Sequence, residues 1–482
     1  MHVSTTLLAA LLVQAVSLAL LRHRVGRRWL LRPVVLFMLA SAVDLGIAPA
    51  LLAIPSVSAQ DSFAIGVKRS FTDQADLIMS VVMLGFTIAY LLTHPERVDG
   101  PSRPVNLAAL TTVLDWRVLA AACVPMAVVT AAGRGYNDGS AAGAGTSLET
   151  NLVSTFFIVI IAAAAVAFVL RHGTRWFLPV LIVQSLLLAL AGERTPILMD
   201  GLALIVVLIF IGIRLPRRQL LAAALLTVVA LLAINGVRAQ QGRDIFYTNS
   251  GLGSRISALG NGLFGGSSVS DAAMPGVVAQ FASREGGVDF AGSILQSMSE
   301  GQPRLSASYM PKSLLLAVPS FLWTSKLALG TGINPAQLQI DDFGLQQINY
   351  IPSMVGTYIG MLSFPWLLLL FFFLGLVFGR FERWLLWECT PARVILLAGA
   401  IASALLYEAG LPTIVVQMRA AAALALVAKC AEMLLHGRRA SADRRPRPRA
   451  GGGRAFGRTL PASGYGDQPA DPGRTGGLDA GR

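Results

Sequence analysis

Residues 176–213 read WFLPVLIVQSLLLALAGERTPILMDGLALIVVLIFIGI. Two apolar runs, 176–191 and 202–213, enclose a stretch that sets Glu193, Arg194 and Asp200 within eight residues of one another, with Pro196 between them. A bare hairpin turn between two membrane helices needs none of these charges. Whether the flanking runs are spans, and on which side their turn emerges, decides both the fold and the compartment in which the chain can work.

The rest of the chain resembles those flanks. Of 482 residues, 54% are hydrophobic and 13% charged, with mean hydropathy +0.64. An ordinary soluble chain carries about 25% charged residues. Several apolar runs exceed the roughly 18 residues that mark a membrane-spanning helix. The expectation is an all-α polytopic integral membrane protein. The apolar runs place about eleven spans, at roughly 4–21, 33–54, 77–93, 117–132, 151–170, 176–191, 197–213, 220–236, 354–379, 393–408 and 413–435. At the N-terminus the positive charges of RHRVGRR follow the first apolar run, whereas a signal peptide carries them before it. A retained first helix with its N-terminus outside is therefore expected.

Arginine placement orients the spans. Alternate connections hold RHRVGRRWLLR, HPERVDGPSR, RHGTR, RLPRRQ, RFERWLLWE and the C-terminal tail. The positive-inside rule assigns this set to the cytoplasm. The other set then lies outside: residues 55–76 (with Lys68 and Arg69 against the trend), 133–150, the Gly192–Pro196 turn, the long segment 237–353 and YEAGLPT. The expected location is a bacterial cytoplasmic membrane. Residues 1–436 form the membrane domain, and 437–482 a disordered basic cytoplasmic tail. That tail carries 10 Arg and 4 Asp, almost half of the chain's net charge of +13. Its Pro/Gly/Arg-rich composition cannot bury a core. Anionic lipid headgroups, rather than nucleic acid, are its expected partner.

An outward turn is beyond the reach of cytosolic nucleotide donors. Arg194 stands at its mouth, and Glu193 and Asp200 are two helical turns apart, on one face. Ionisable groups in a span are costly and usually face a bundle interior or a water-filled cavity. The plainer alternative for Arg194 is an interfacial arginine snorkelling to headgroups beside a local carboxylate.

The segment Val237–Pro352 leaves the membrane for 116 residues and carries seven basic and seven acidic residues among several aromatics. This balance predicts a small folded cap rather than a floppy loop. Arg238 and Arg243 follow the eighth span closely enough to meet a phosphate at headgroup depth, and arginine forms bidentate phosphate contacts. Taken singly, each such arginine could equally be a solvated ion-pair partner. Four of the five histidines fall on the expected cytoplasmic side, and His2 is at the terminus. No GxxxxGK[ST] or HExxH occurs, and the Asp341-Asp342 doublet suits helix capping better than a metal. No cofactor or metal is expected. The three cysteines, Cys123, Cys389 and Cys430, are widely spaced in or beside apolar runs, as ordinary buried thiols would be.

At residues 317–379 a Pro-aromatic-Trp stretch (VPSFLW), a lysine at 326 and a helix entered through GTYIG appear in succession. With the GERTP turn, the span count and the single long outer loop, this pattern resembles bacterial O-antigen polymerases, the Wzy-type oligosaccharide repeat-unit polymerases. The resemblance is diffuse and extends over most of residues 1–436. It implies a GT-C-like fold and a glycosyltransferase whose donor is a polyprenyl-pyrophosphate-linked oligosaccharide. The glycan would pass as a block to another lipid-linked unit, with membrane lipids, a flippase and a chain-length regulator as partners. Arg194 matches the turn arginine of that family and would stabilise charge on the departing pyrophosphate. Arg238, Arg243, Arg255 and Lys326 are candidate pyrophosphate- or glycan-binding residues. Glu193, Asp289 and Asp341 are candidate bases for the acceptor hydroxyl. O-antigen ligases, a related class, carry an outer-loop histidine that is absent here. A transporter or flippase of lipid-linked glycans is the competing class, with Asp44, in mid-span, its best residue.

Overall fold

The computed structural model describes residues 4–26, 29–55, 67–93, 107–123, 147–190, 194–241, 257, 287–315, 318, 323, 335–343, 353–405 and 411–443. Every regular element among them is helical. In chain order these are α1 (Thr5–Val25), α2 (Pro33–Ala42), a π-helical turn (Val43–Ile47), α3 (Ala48–Leu52), α4 (Arg69–Thr93) and α5 (Leu107–Val113). Then follow α6 (Ser147–His172), α7 (Phe177–Leu190), α8 (Arg194–Phe210) and α9 (Arg217–Gln241). The segment between 242 and 363 contributes α10 (Gly287–Ser299), α11 (Tyr309–Leu314), α12 (Pro335–Asp342) and α13 (Gly356–Ile359). The chain closes with α14 (Phe364–Trp387), α15 (Pro391–Ala404) and α16 (Leu411–Asp443). It divides into two units, Met1–Met433 and Leu434–Arg482; beyond Asp443 the tail lies outside the described residues.

Among the described residues five stretches are long and apolar enough to cross a membrane: Thr5–Val25, Pro33–Leu52, Arg69–Thr93, Phe364–Trp387 and Ile414–Leu434. Four shorter apolar helices accompany them, at Val159–His172, Thr174–Leu188, Ile197–Phe210 and Pro391–Ala404. The helices are apolar on both faces. Phe86, Tyr90 and Phe371 are fully buried, while Leu12 of α1 and Phe373 of α14 turn outward, 66% and 59% exposed. An all-round apolar surface is what a helix in lipid needs, because the bilayer core solvates apolar side chains and satisfies no backbone group.

Local chemistry fixes several helix ends. Ser4 accepts from the Leu7 N–H at 3.1 Å and opens α1. Gly26, at φ 92°, closes it in a conformation that a side chain would strain. In the second span Pro49 has no N–H to offer the Leu45 carbonyl, and its ring crowds that oxygen. The helix widens immediately upstream into the π turn that holds Asp44. Of the span expected at 117–132 only residues 117–123 are described, and several other span boundaries differ from the sequence expectation. Pro365, just after the Ser363 N-cap, restarts the helix, so the span expected at 354–379 runs from Phe364 to Trp387 and α13 is a separate short helix. The span expected to begin at 77 begins at Arg69, because Asp73 and Asp76 are accommodated inside it.

Helix pairing makes the core. α4 and α14 pack along their length, and small residues let them approach. A Cβ on Gly375 would collide with the Phe86 carbonyl, one on Gly379 with Thr93, and one on Gly85 would stand 2.6 Å from Leu368 Cδ1. Gly375 and Gly379 form a GxxxG face, the spacing that brings membrane helices close without any hydrophobic drive between them. A second, smaller cluster gathers Cys123, Phe157, Ile160, Ile161, Leu188 and Ile197.

Contacts sort the helix ends into two groups. At one end Arg32, Tyr90 and Glu382 meet, Arg393 pairs with Glu388 at 3.7 Å, and Gln219 bonds the Thr174 carbonyl at 3.2 Å. α8 also contacts residues 29–31. The first turn of α4 and the π turn are where α10 docks, at the end of α4 away from Tyr90.

Candidate functional site

Of the residues singled out in the sequence, Asp289 lies on α10, and several others fall outside the described set. Arg194 is the first residue of α8 and Arg238 lies near the end of α9; of both, the structure describes the backbone. Glu193, Arg243, Arg255 and Lys326 lie outside the described residues. A helix that opens at Arg194 presents backbone N–H groups without intrahelical acceptors, together with the positive pole of its dipole, to whatever approaches from that end. Six residues further on, Asp200 is fully buried, with both carboxylate oxygens outside hydrogen-bond geometry and Gln184 of α7 beside it.

Asp289 sits on α10, and its placement has a clear cause. α10 is amphipathic: Val288, Phe290, Ala291 and Ile294 are buried beneath it, while Ser299 and Glu300 face outward. Glycines bring it against its neighbours. A Cβ on Gly292 would stand 3.0 Å from the Thr72 backbone, and one on Gly287 would stand 2.8 Å from the Ser353 nitrogen. Three side-chain bonds complete the seam, beside an ion pair within α4. The Gly287 N–H donates to Asp44 at 3.3 Å, so a carboxylate from the second span caps the first turn of α10. The Thr72 hydroxyl donates to Asp289 at 3.1 Å, and the Lys68 N–H donates to Gln296 at 2.9 Å. Arg69 reaches Asp73 at 3.0 Å.

The half-buried Asp289 is thus held by α4 with its carboxylate oriented, which a proton acceptor requires. Asp341 is in a different setting, exposed near the end of α12. α12 is tied to α13 through Gln339, which donates to the Thr357 carbonyl at 2.7 Å and accepts from the Gly360 N–H at 3.0 Å. Arg304 also bonds the Leu362 carbonyl, so several parts of the segment between α9 and α14 are fastened to the span ends.

Sequence reasoning missed a buried acidic run at this end. Asp73, Asp76 and Ser80 follow one another at spacings of three and four on α4, all buried, with Asp44 facing them from the π turn. The signal was available in RSFTDQADLIMS, where two acids share a helical face with a following apolar run. A second polar cluster lies at the arginine-rich end, where Glu382 takes the Tyr90 hydroxyl at 2.7 Å, the Val34 N–H at 2.9 Å and Arg32 at 3.7 Å. Among the described residues no three His, Cys, Asp or Glu side chains are grouped as a metal would need. Compared with known proteins, the chain matches no family model, no curated protein and no solved structure.

Proposed function

We propose that the chain polymerises polyprenyl-pyrophosphate-linked oligosaccharide repeat units at the outer face of a bacterial cytoplasmic membrane. One observation carries the reading beyond the sequence resemblance. The long segment between α9 and α14 contributes a helix, α10, that is hydrogen-bonded to the first turn of α4 and to the π turn, and in this reading Arg194, at the start of α8, faces the same side. A membrane enzyme with a lipid-linked substrate needs such an arrangement: a charged site at headgroup depth, roofed by protein.

In this reading the acceptor hydroxyl oxygen attacks the anomeric carbon of the donor. The bond from that carbon to the pyrophosphate oxygen breaks, and polyprenyl pyrophosphate leaves with the electron pair. Arg194 and the first N–H groups of α8 stabilise the developing charge. The hydroxyl proton passes to a carboxylate. Asp289, oriented by Thr72, is the best placed of the three candidates, ahead of Glu193 and the exposed Asp341. Arg238, Arg243, Arg255 and Lys326 serve as binding candidates for the pyrophosphate and glycan.

The test is glycan chain length in cells carrying Arg194 variants, with protein level checked by immunoblot. Lysine keeps the charge and loses the two-donor fork, so Arg194→Lys is impaired and Arg194→Ala more so. Loss of a donor to developing charge costs on the order of a hundredfold or more in rate. Single repeat units replace long chains. Wild-type chain lengths from well-expressed Arg194→Ala protein would exclude this role.

A second reading, transport of lipid-linked glycans, is favoured by the buried carboxylates Asp44 and Asp76 within spans, one of them in a π turn. The same cells separate the two. A failed polymerase leaves single units reachable from outside, and a failed transporter leaves them on the cytoplasmic leaflet.

A further inference from the structure

The spans contain an acceptor-rich pocket of polar atoms that the proposed glycan chemistry does not use. Asp76 stands two turns into α4, 1% exposed, and neither of its carboxylate oxygens has a hydrogen-bond partner. Ser80 follows it by four residues and so lies one turn further along the same face. From α1, Gln14, 3% exposed, donates its amide Nε2 to the Ser80 hydroxyl at 3.1 Å. That bond fixes the amide at Ser80, one turn from Asp76, and leaves its Oε1 without a hydrogen-bond partner.

Two carboxylate oxygens and one amide oxygen thus lie buried on α4 and α1 without hydrogen-bond partners. Moving an ionised carboxylate into such surroundings is unfavourable unless a positive charge accompanies it. The neighbouring charges do not supply it. On α4 itself, Asp73 adds a like charge, and Arg69 is engaged with Asp73 at 3.0 Å. The π turn brings Asp44, and α10 brings Asp289. The charged groups of α1 (Arg22, His23, Arg24) and of α14 (Arg380, Glu382, Arg383) lie at the arginine-rich end. Among these groups the carboxylates outnumber the one nearby cation, Arg69.

We propose that Asp76, with the Gln14 amide oxygen and Ser80, forms a buried site for one monovalent cation, a proton or a sodium ion, between α1 and α4. A proton placed on Asp76 becomes the donor that these acceptors lack. A sodium ion draws on the same lone pairs. Either occupant neutralises the carboxylate and ties α1 to α4 near the docking seam of α10. The site therefore couples the packing of the spans to the ionic conditions on that side of the membrane. This inference concerns the spans alone and does not depend on the glycan reading.

The experiment follows thermal unfolding of the full-length protein in lipid nanodiscs. One arm exchanges sodium for choline at fixed pH and ionic strength. The other raises pH in sodium-free choline buffer. A ligand that binds only the folded state stabilises it by mass action, so each tenfold rise in cation above its dissociation constant multiplies the folding equilibrium by about ten. With sodium as occupant, wild-type melting temperature rises with sodium and the slope vanishes in Asp76→Asn. With a proton, wild-type stability falls as pH rises, because the folded state holds a proton that the unfolded state has released, and the corresponding part of that slope vanishes in Asp76→Asn. Equal slopes for wild type and Asp76→Asn in both arms overturn the proposal.

Gln14→Leu gives a second reading should Asp76→Asn fail to accumulate. It keeps the carboxylate and removes the amide oxygen, weakening the cation midpoint by about tenfold, the worth of one such bond. An unshifted midpoint also overturns the proposal.

Discussion

Replacing Glu382 by leucine tests how the arginine-rich end is held together. Glu382 is 1% exposed, and three groups from two other elements converge on it. The Tyr90 hydroxyl donates from the last turn of α4 at 2.7 Å. The Val34 N–H donates from the first turn of α2 at 2.9 Å, where the N-cap residue Arg32 supplies no side-chain cap of its own. Arg32, 4% exposed, adds its charge at 3.7 Å. Leucine fills the volume and removes the carboxylate from the guanidinium and from both donors. Removing one partner of a buried ion pair costs about 3–5 kcal/mol. A single interhelical hydrogen bond within a membrane averages only about 0.6 kcal/mol. The uncompensated charge therefore dominates: Glu382→Leu should lose roughly 3–5 kcal/mol, and Tyr90→Phe roughly 0.5–1 kcal/mol.

The decisive variant is the pair Arg32→Met with Glu382→Leu. Apolar replacement of a whole buried pair is often neutral, so the double variant should recover most of the loss seen with Glu382→Leu alone. The assay is reversible unfolding in mixed micelles, read as a double-mutant cycle. Additive losses from the two single variants would refute the reasoning, as would a Glu382→Leu protein within about 0.5 kcal/mol of wild type, the scatter expected of changes that touch no such feature.

Two further outcomes follow from packing. Gly379→Leu drives a side chain into Thr93 and Tyr90 and should separate α4 from α14, at a cost of about 1–3 kcal/mol or more; Leu369→Ala, on the outward face of α14, should change stability by less than about 0.5 kcal/mol in the same unfolding assay. Cys389, in the link between α14 and α15, is buried, and that burial pushes its thiol up to about 12. Thiolate is the reactive form, so maleimide should leave Cys389 unmodified at neutral pH in the folded protein and label it on unfolding, as mass spectrometry would record.

Composition and arginine spacing carried most of the fold. Among the described residues five of the expected spans have helices long and apolar enough to cross a membrane, and Arg32 with Glu382 and Arg393 with Glu388 pair around the end of α14. What the sequence hid were polar residues inside apolar helices. A hydropathy window cuts a span where acids appear, so α4 seemed to begin after Asp76, although the α10 seam and the α1 interface accommodate those acids. For the same reason Glu382 looked like part of a cytoplasmic connection: RFERW resembles a solvated linker, and its role appears only when Tyr90 and Arg32 are brought to it from hundreds of residues away. Asp289 was legible as a candidate by position alone. Its orientation by Thr72 depends on a glycine contact between α10 and α4 that has no local sequence signature.

The span from Tyr90 to Glu382 is 292 residues of chain. At ribosomal rates of about 5–20 residues per second, roughly 15–60 s pass between the synthesis of one partner and the other. During that interval the early helices exist without α14. The Arg32 guanidinium has no carboxylate to meet, and the face of α4 that will receive the glycines of α14 stands open. Newly made α2 and α4 must therefore wait either shallow at the headgroups or against the insertion machinery. Order of synthesis thereby becomes a constraint on this fold: the earliest helices are completed by nearly the last.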